Sequence, residues 1–130
     1  ETIQAKDLKR ASRPEKKRSP TARSLELLRA EGYICEKVEQ RIPRCMILRD
    51  AFGFGDILAM RPEMPGRPGE IALVQTTTGD NLAARRHKIA GLSTPRQWLA
   101  AGGKIILHGW RKVGPRGGLK RWEAIMERVE

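Results

Sequence analysis

Residues 71–80, IALVQTTTGD, constrain the fold more than any other stretch of this chain. Four consecutive apolar residues read as a buried strand, which then runs into Gln75, Thr76, Thr77 and Thr78 before a turn at Gly79. A buried strand with an amide and hydroxyl end is either fraying into a loop or flooring a site. FGDILAM (54–60) is a second strand, introduced by the flexible segment RDAFGF. The Pro- and Gly-rich loop RPEMPGRPGE predicts that the two form an antiparallel hairpin. YICEKVEQRI (33–42) alternates as an outer strand, with Ile34, Glu36, Val38 and Gln40 on one side and Tyr33, Cys35, Lys37 and Glu39 on the other.

Helices frame these strands. Ser19-Pro20 starts a helix over 20–31 that Gly32 ends, with Leu25, Leu28 and Thr21 on its inward face and Glu26 turned to solvent. DNLAARRHKIAG (80–91) opens on a capping aspartate and closes on glycine, with Leu82 and Ile89 facing inward. STPRQWLAAGG (93–103) repeats that grammar, with Ser93 or Thr94 as cap, Pro95 in the first turn and Gly102 as the stop. KIILHGW (104–110) is then a strand that returns parallel by a right-handed crossover. RWEAIMERV (121–129) reads as a short helix or, preferably, as a strand closing a hairpin through KVGPRGGLK. Trp98 packs a helix on the sheet, and Trp110 and Trp122 are expected to pair across that hairpin. The sum is an α/β domain with a mixed central sheet flanked by helices and an added C-terminal β-hairpin.

The totals narrow the function. A chain of 130 residues suits one domain, and 26 basic against 15 acidic residues give a net charge of +11, the balance of a protein with a polyanionic partner. Residues 1–19 carry seven basic and three acidic side chains, a surplus of +4 in a flexible arm, which leaves +7 on the domain at 20–130. The arm reads equally as a solubilising extension or as a phosphate-binding segment. Apolar runs such as ILAM and IIL are too short to span a bilayer, so no membrane partner is expected, and with no secretory signal a cytoplasmic location is. Cys35 and Cys45 lack zinc-ligand spacing and read as reduced thiols, although one disulfide between them is open. His87 and His108 have no adjacent carboxylate and read as surface or packing residues. There is no phosphate-binding GxxxxGK[ST], zinc finger or serine elbow.

If the hairpin pairs as drawn, Asp56 sits beside Gln75 and Thr77 on one face. An aspartate among Phe52, Phe54, Ile57 and Leu58 is costly to desolvate unless compensated, and Mg²⁺ takes carboxylate, amide and backbone oxygens. Spacing alone favours the plainer alternative of a strand-start aspartate beside a half-exposed strand edge.

The order of helix 20–31, GDILAM, IALVQTT, a basic helix and WLAAGGKIILHGW resembles the PD-(D/E)xK nuclease superfamily, in particular its Holliday-junction-resolvase-like and VRR-type members. It is also similar to small phage or prophage proteins with an FGFxDIL segment and a terminal GWRKVGPRG hairpin. The resemblance covers residues 20–130 and implies a restriction-endonuclease-like αβββαβ core, a DNA substrate, an Mg²⁺ or Mn²⁺ cofactor, a homodimer, and a bacterial or phage-infected cell. In that superfamily an aspartate on the second core strand and a Glu-x-Lys on the third bind metal and position the attacking water. The matching positions are Asp56, Gln75 and Thr77, so two of the three depart from the pattern. The first-helix glutamate of some members corresponds to Thr21. Asp50 is a further candidate ligand and Lys88 a candidate substitute cation.

A nucleic-acid surface follows from the charge. Arg85 and Lys88 share a side of helix 80–91 with Arg86 nearby on another, and the C-terminal hairpin adds Arg111, Lys112, Arg116, Lys120 and Arg121. A binding module that holds DNA without cutting it is the alternative reading.

Overall fold

The computed structural model describes residues 18–42 and 47–130, with 40–42 and 47–48 in backbone only. The basic arm up to residue 17 and Cys45 lie outside the described residues. The chain runs α1 (Pro20–Ala30), β1 (Ile34–Lys37), β2 (Gln40–Ile42), β3 (Ile47–Arg49), β4 (Ile57–Arg61), β5 (Glu70–Thr78), a 3₁₀ turn (Gly79–Asn81), α2 (Leu82–Ala90), α3 (Thr94–Ala100), β6 (Lys104–Val113) and β7 (Arg121–Val129). Five strands form one mixed sheet in the order β1-β4-β5-β6-β7, parallel only between β5 and β6, and β2 and β3 form a separate antiparallel pair. This is an α/β fold with helices on a mixed sheet. Among the described residues no helix is long and apolar enough to cross a membrane.

Local chemistry explains where the elements begin and end. Ser19 caps α1 by accepting from the Ala22 amide at 3.1 Å, and Pro20 occupies the first turn, where its missing N–H costs nothing. Asp80 does not cap α2; it lies within the 3₁₀ turn, and Asn81 stands at the cap without a side-chain bond. That turn presses on β6 so closely that a Cβ at Gly109 would come within 3.2 Å of Leu82 and 3.3 Å of Gly79. Trp98 closes the end of α3 on the sheet and donates to the Lys104 carbonyl at 2.7 Å.

The sheet separates two cores. On one face Leu28 of α1 packs with Tyr33, Cys35, Ile57, Ala59, Ala72, Val74 and Ile106; on the other, Leu82 and Ile89 of α2 pack with Phe54, Leu73, Ile105 and Leu107. Burial of these side chains is the main favourable term, at about 25 cal/mol per Å² of apolar surface. Cys35 is a buried free thiol. His108 is a core residue whose Nδ1 lies 2.8 Å from Ser24 Oγ, and burial pushes its pKa down to about 4, so the ring is neutral.

The segment 33–42 is not the single strand that its alternation predicts. Val38 donates its amide to the Asp56 carbonyl at 2.9 Å, and beyond it the chain leaves the main sheet to pair with β3 as β2. The segment RDAFGF is not a flexible lead-in but a tight turn. Ala51 and Gly55 bridge, Phe54 is fully buried, and Phe52 holds a left-handed φ of 55°. A non-glycine residue there is strained by about 1–2 kcal/mol. The Phe52 ring packs against Trp98 and its carbonyl accepts from Thr94 Oγ1 at 2.7 Å, so α3 holds the turn in place. The C-terminal segment is a strand, β7, hairpinned to β6 in the register Lys112↔Trp122 and Trp110↔Ala124. Trp110 and Trp122 are therefore diagonal neighbours and not the paired rings expected from the sequence.

Candidate functional site

The β4–β5 register pairs Ile57 with Val74, and Asp56 extends that ladder by donating its amide to the Val74 carbonyl at 2.9 Å. The aspartate thereby arrives opposite Gln75 at the polar end of the central strand. Its Oδ2 accepts from Gln75 Nε2 at 2.8 Å, from the Thr76 amide at 2.8 Å and from Thr76 Oγ1 at 3.3 Å. With its hydrogen given to Asp56, Thr76 Oγ1 takes one from Thr21 Oγ1 at 2.9 Å, which ties the first turn of α1 to the carboxylate. Three donors saturate Oδ2 and leave Oδ1 as the oxygen with capacity to spare.

Asp56 is 5% exposed, and two further carboxylates face it. One oxygen each from Glu39, Asp50 and Asp56 lie within 4.8 Å of one another. Glu39 stands where the chain turns away from the main sheet, and Asp50 opens the turn that Phe54 anchors. Burial raises the Asp56 pKa to about 7, opposed by the Thr76 amide and reinforced by a hydrogen bond and charge from Asp50 and by the charge of Glu39. Such a cluster is stabilised by a cation. Gln75 supplies an independent sign of the same need: its Oε1 is buried with no hydrogen-bond partner among the described residues, while its Nε2 is committed to Asp56. The three carboxylates form an all-oxygen donor set that could hold a divalent cation, with Gln75 lining the same cavity.

These groups line a cavity of about 300 Å³ together with Pro20, Thr21, Arg85 and Lys88. Lys88 Nζ lies 3.7 Å from Asp50 Oδ2. The cavity is therefore lined by three carboxylates and two cationic side chains.

Of the residues singled out from the sequence, Asp50, Asp56, Gln75, Arg85 and Lys88 meet here. Thr77 does not. It is buried, pairs with Gly109 and lies a further step along β5, whereas Thr76, which follows the residue opposite Asp56, supplies the amide and hydroxyl. Arg86 points elsewhere, donating through Nε to Glu127 Oε2 at 2.8 Å and through its terminal nitrogen to Oε1 at 2.5 Å. Arg111, Lys112, Arg116, Lys120 and Arg121 are all exposed on the β6–β7 hairpin, which projects past the end of β5. Glu39 and Thr76 were not singled out. Glu39 shares the alternating set of Tyr33 and Cys35, but Lys37 between Cys35 and Glu39 is exposed, so alternation gives no signal that Glu39 turns inward.

No family model, no curated protein and no solved structure matches this chain.

Proposed function

We propose that the protein is a divalent-metal-dependent nuclease of PD-(D/E)xK type that hydrolyses phosphodiester bonds in DNA. The observation that carries this reading is the convergence of Glu39, Asp50 and Asp56 within 4.8 Å beside the unpartnered Gln75 Oε1. In the superfamily pattern the carboxylates come from α1 and from the strand position held here by Gln75. In this chain Glu39 and Asp50 stand close enough to restore the charge from outside the core strands.

Glu39, Asp50 and Asp56 would hold Mg²⁺ or Mn²⁺, with Gln75 Oε1 as a neutral ligand. The ion, when bound, activates water and offsets charge on the phosphodiester. Thr76 and Gln75 orient Asp56 by fixing Oδ2, and Thr21 holds Thr76 in turn. Arg85 and Lys88 face the same cavity and bind the phosphate flanking the bond to be cut. Lys88 takes the part of the strand lysine that Thr77 cannot play, once substrate draws it from Asp50. The exposed cations of the β6–β7 hairpin extend the contact with the backbone of the substrate.

A second reading, a module of the same fold that binds DNA without cutting it, is favoured by the engagement of Lys88 with Asp50 and by threonine at both 76 and 77. One assay separates the two. Linear, single-stranded and four-way-junction DNA are incubated with the protein and with Asp56→Asn, with and without Mn²⁺. Metal-dependent cleavage lost in Asp56→Asn supports the nuclease. Salt-sensitive binding unaffected by that substitution, with no cleavage under any metal, supports the module.

A further inference from the structure

Beside α1 lies a second cavity of about 350 Å³, lined by Leu27, Ala30 and Trp110 as its apolar part, by Arg23 and Trp122, and by Glu26, whose carboxylate is ion-paired with Arg18. The guanidinium carbon of Arg23 sits 4.1 Å from the Trp122 ring centroid, and Lys112 Nζ lies 5.3 Å from it. Trp122 is nonetheless 37% exposed. Neither Arg23 nor Lys112 has a carboxylate partner among the described residues, whereas Arg61, Arg86, Lys88 and Arg128 are all ion-paired. Arg23 Nε is in addition buried without an acceptor. An apolar lining, an accessible aromatic ring and cations lacking anions form a complement to one chemistry in particular, a planar base carried on a phosphate backbone.

We propose that this trough between α1 and the β6–β7 hairpin binds an unpaired stretch of nucleic acid, with a base stacked on the Trp122–Arg23 pair and phosphate oxygens taken by Arg23 and Lys112. A paired duplex cannot use the platform, because its base faces are already stacked on one another. The trough also adjoins the carboxylate cavity. Thr76 pairs with His108, and Trp110 lies two residues further along β6, a separation of about 8 Å between Cα atoms from a strand spacing of about 4.8 Å and a rise of about 3.3 Å per residue. α1 spans both, with Pro20 and Thr21 on one cavity and Arg23 on the other. One strand can therefore touch both. The inference rests on the nuclease reading for the identity of the polyanion and adds the substrate class: single-stranded or locally unpaired nucleic acid.

The test is binding of a short single-stranded DNA, the same sequence in RNA, and a blunt duplex of equal length, all in EDTA so that no cleavage occurs. Trp122→Leu keeps apolar bulk on β7 and removes the aromatic face; Trp122→Phe restores a face. Trp122→Leu is expected to weaken single-strand binding by about five- to a hundredfold and leave duplex binding unchanged, with Trp122→Phe close to the parent. The ratio of DNA to RNA losses reports which strand the trough takes, and a loss on either supports it. Equal effects on strand and duplex, or no effect on strands, overturn it. Because binding is read without a divalent ion, strand binding through Trp122 by a protein that cleaves nothing in a separate incubation with Mn²⁺ keeps this inference and removes the nuclease reading. Cleavage by a protein whose Trp122→Leu variant binds strands normally does the reverse.

Discussion

Gln75 donates its side-chain amide to Asp56 Oδ2 at 2.8 Å across the β4–β5 pair, and that bond turns its own Oε1 into a buried acceptor with nothing to accept. A glutamate in its place would add a fourth carboxylate to Glu39, Asp50 and Asp56, and would push against Asp56 instead of donating to it. The amide thus suits a site whose charge comes from elsewhere. Gln75→Glu is expected to raise the affinity for Mn²⁺ at pH 8 while destabilising the metal-free protein, measured by titration of the ion and by denaturant unfolding in EDTA. An unchanged affinity together with unchanged stability would show that Gln75 does not face the ion.

Asp56 makes the metal-free protein pH-sensitive. Its folded pKa of about 7 lies above the ordinary 3.8, so the folded state binds the proton more tightly than the unfolded chain does. The stability this gives is complete below about pH 4 and is lost as pH rises through 7. Asp56→Asn keeps an oxygen to accept from Thr76 and carries no charge. In EDTA it is expected to unfold at higher denaturant than the parent at pH 8, by about 2 kcal/mol, and to match it more closely at pH 5. A variant less stable than the parent at pH 8 would contradict this.

Glu70 behaves in the opposite sense at the far end of the sheet. It accepts from Arg128 at 2.9 and 3.1 Å and from Tyr33, and these bonds, Arg128 first, hold its pKa down at about 2. Its contribution is present above pH 4.5 and lost as pH falls through 2. Half of the Arg128 side chain is exposed, so the pair is worth about 1 kcal/mol. Arg128→Gln is expected to move acid unfolding to higher pH with no effect on metal binding.

Much of this was legible in the sequence. The β4–β5 hairpin, the parallel return of β6 and the inward Leu82 and Ile89 of α2 follow from apolar period and from Gly and Pro punctuation, which are local properties. Asp56 and Gln75 could be placed together because they lie on adjacent strands joined by one loop. Glu39 could not, since its position depends on the chain leaving the main sheet after the Val38–Asp56 bond, a long-range contact that alternation does not encode. The turn carrying Asp50 was masked similarly. RDAFGF has the look of a flexible loop, and only burial of Phe54 and the grip of Thr94 on Phe52 make it rigid. Strand alternation, which puts Gln75 and Thr77 on one side, and the family spacing both point to Thr77, whereas the hydrogen bonds to Asp56 come from the backbone and hydroxyl of Thr76.

The two arginines of α2 should differ in their effect on DNA. Arg85 lines the carboxylate cavity and Arg86 is tied to Glu127. Arg85→Gln is expected to weaken DNA binding and reduce the salt slope by about one, while Arg86→Gln changes it little. Equal losses would place the phosphate path on the outer side of the helix.

The central claim is that Glu39, Asp50 and Asp56 share one divalent ion. Titration of Mn²⁺ followed by its electron paramagnetic resonance signal tests it most directly, on the parent protein and on Glu39→Gln, Asp50→Asn and Asp56→Asn. One site in the parent, weakened about tenfold or more by each substitution, is the expected result. Absence of a bound ion at millimolar Mn²⁺, or a site that survives all three substitutions, would contradict it.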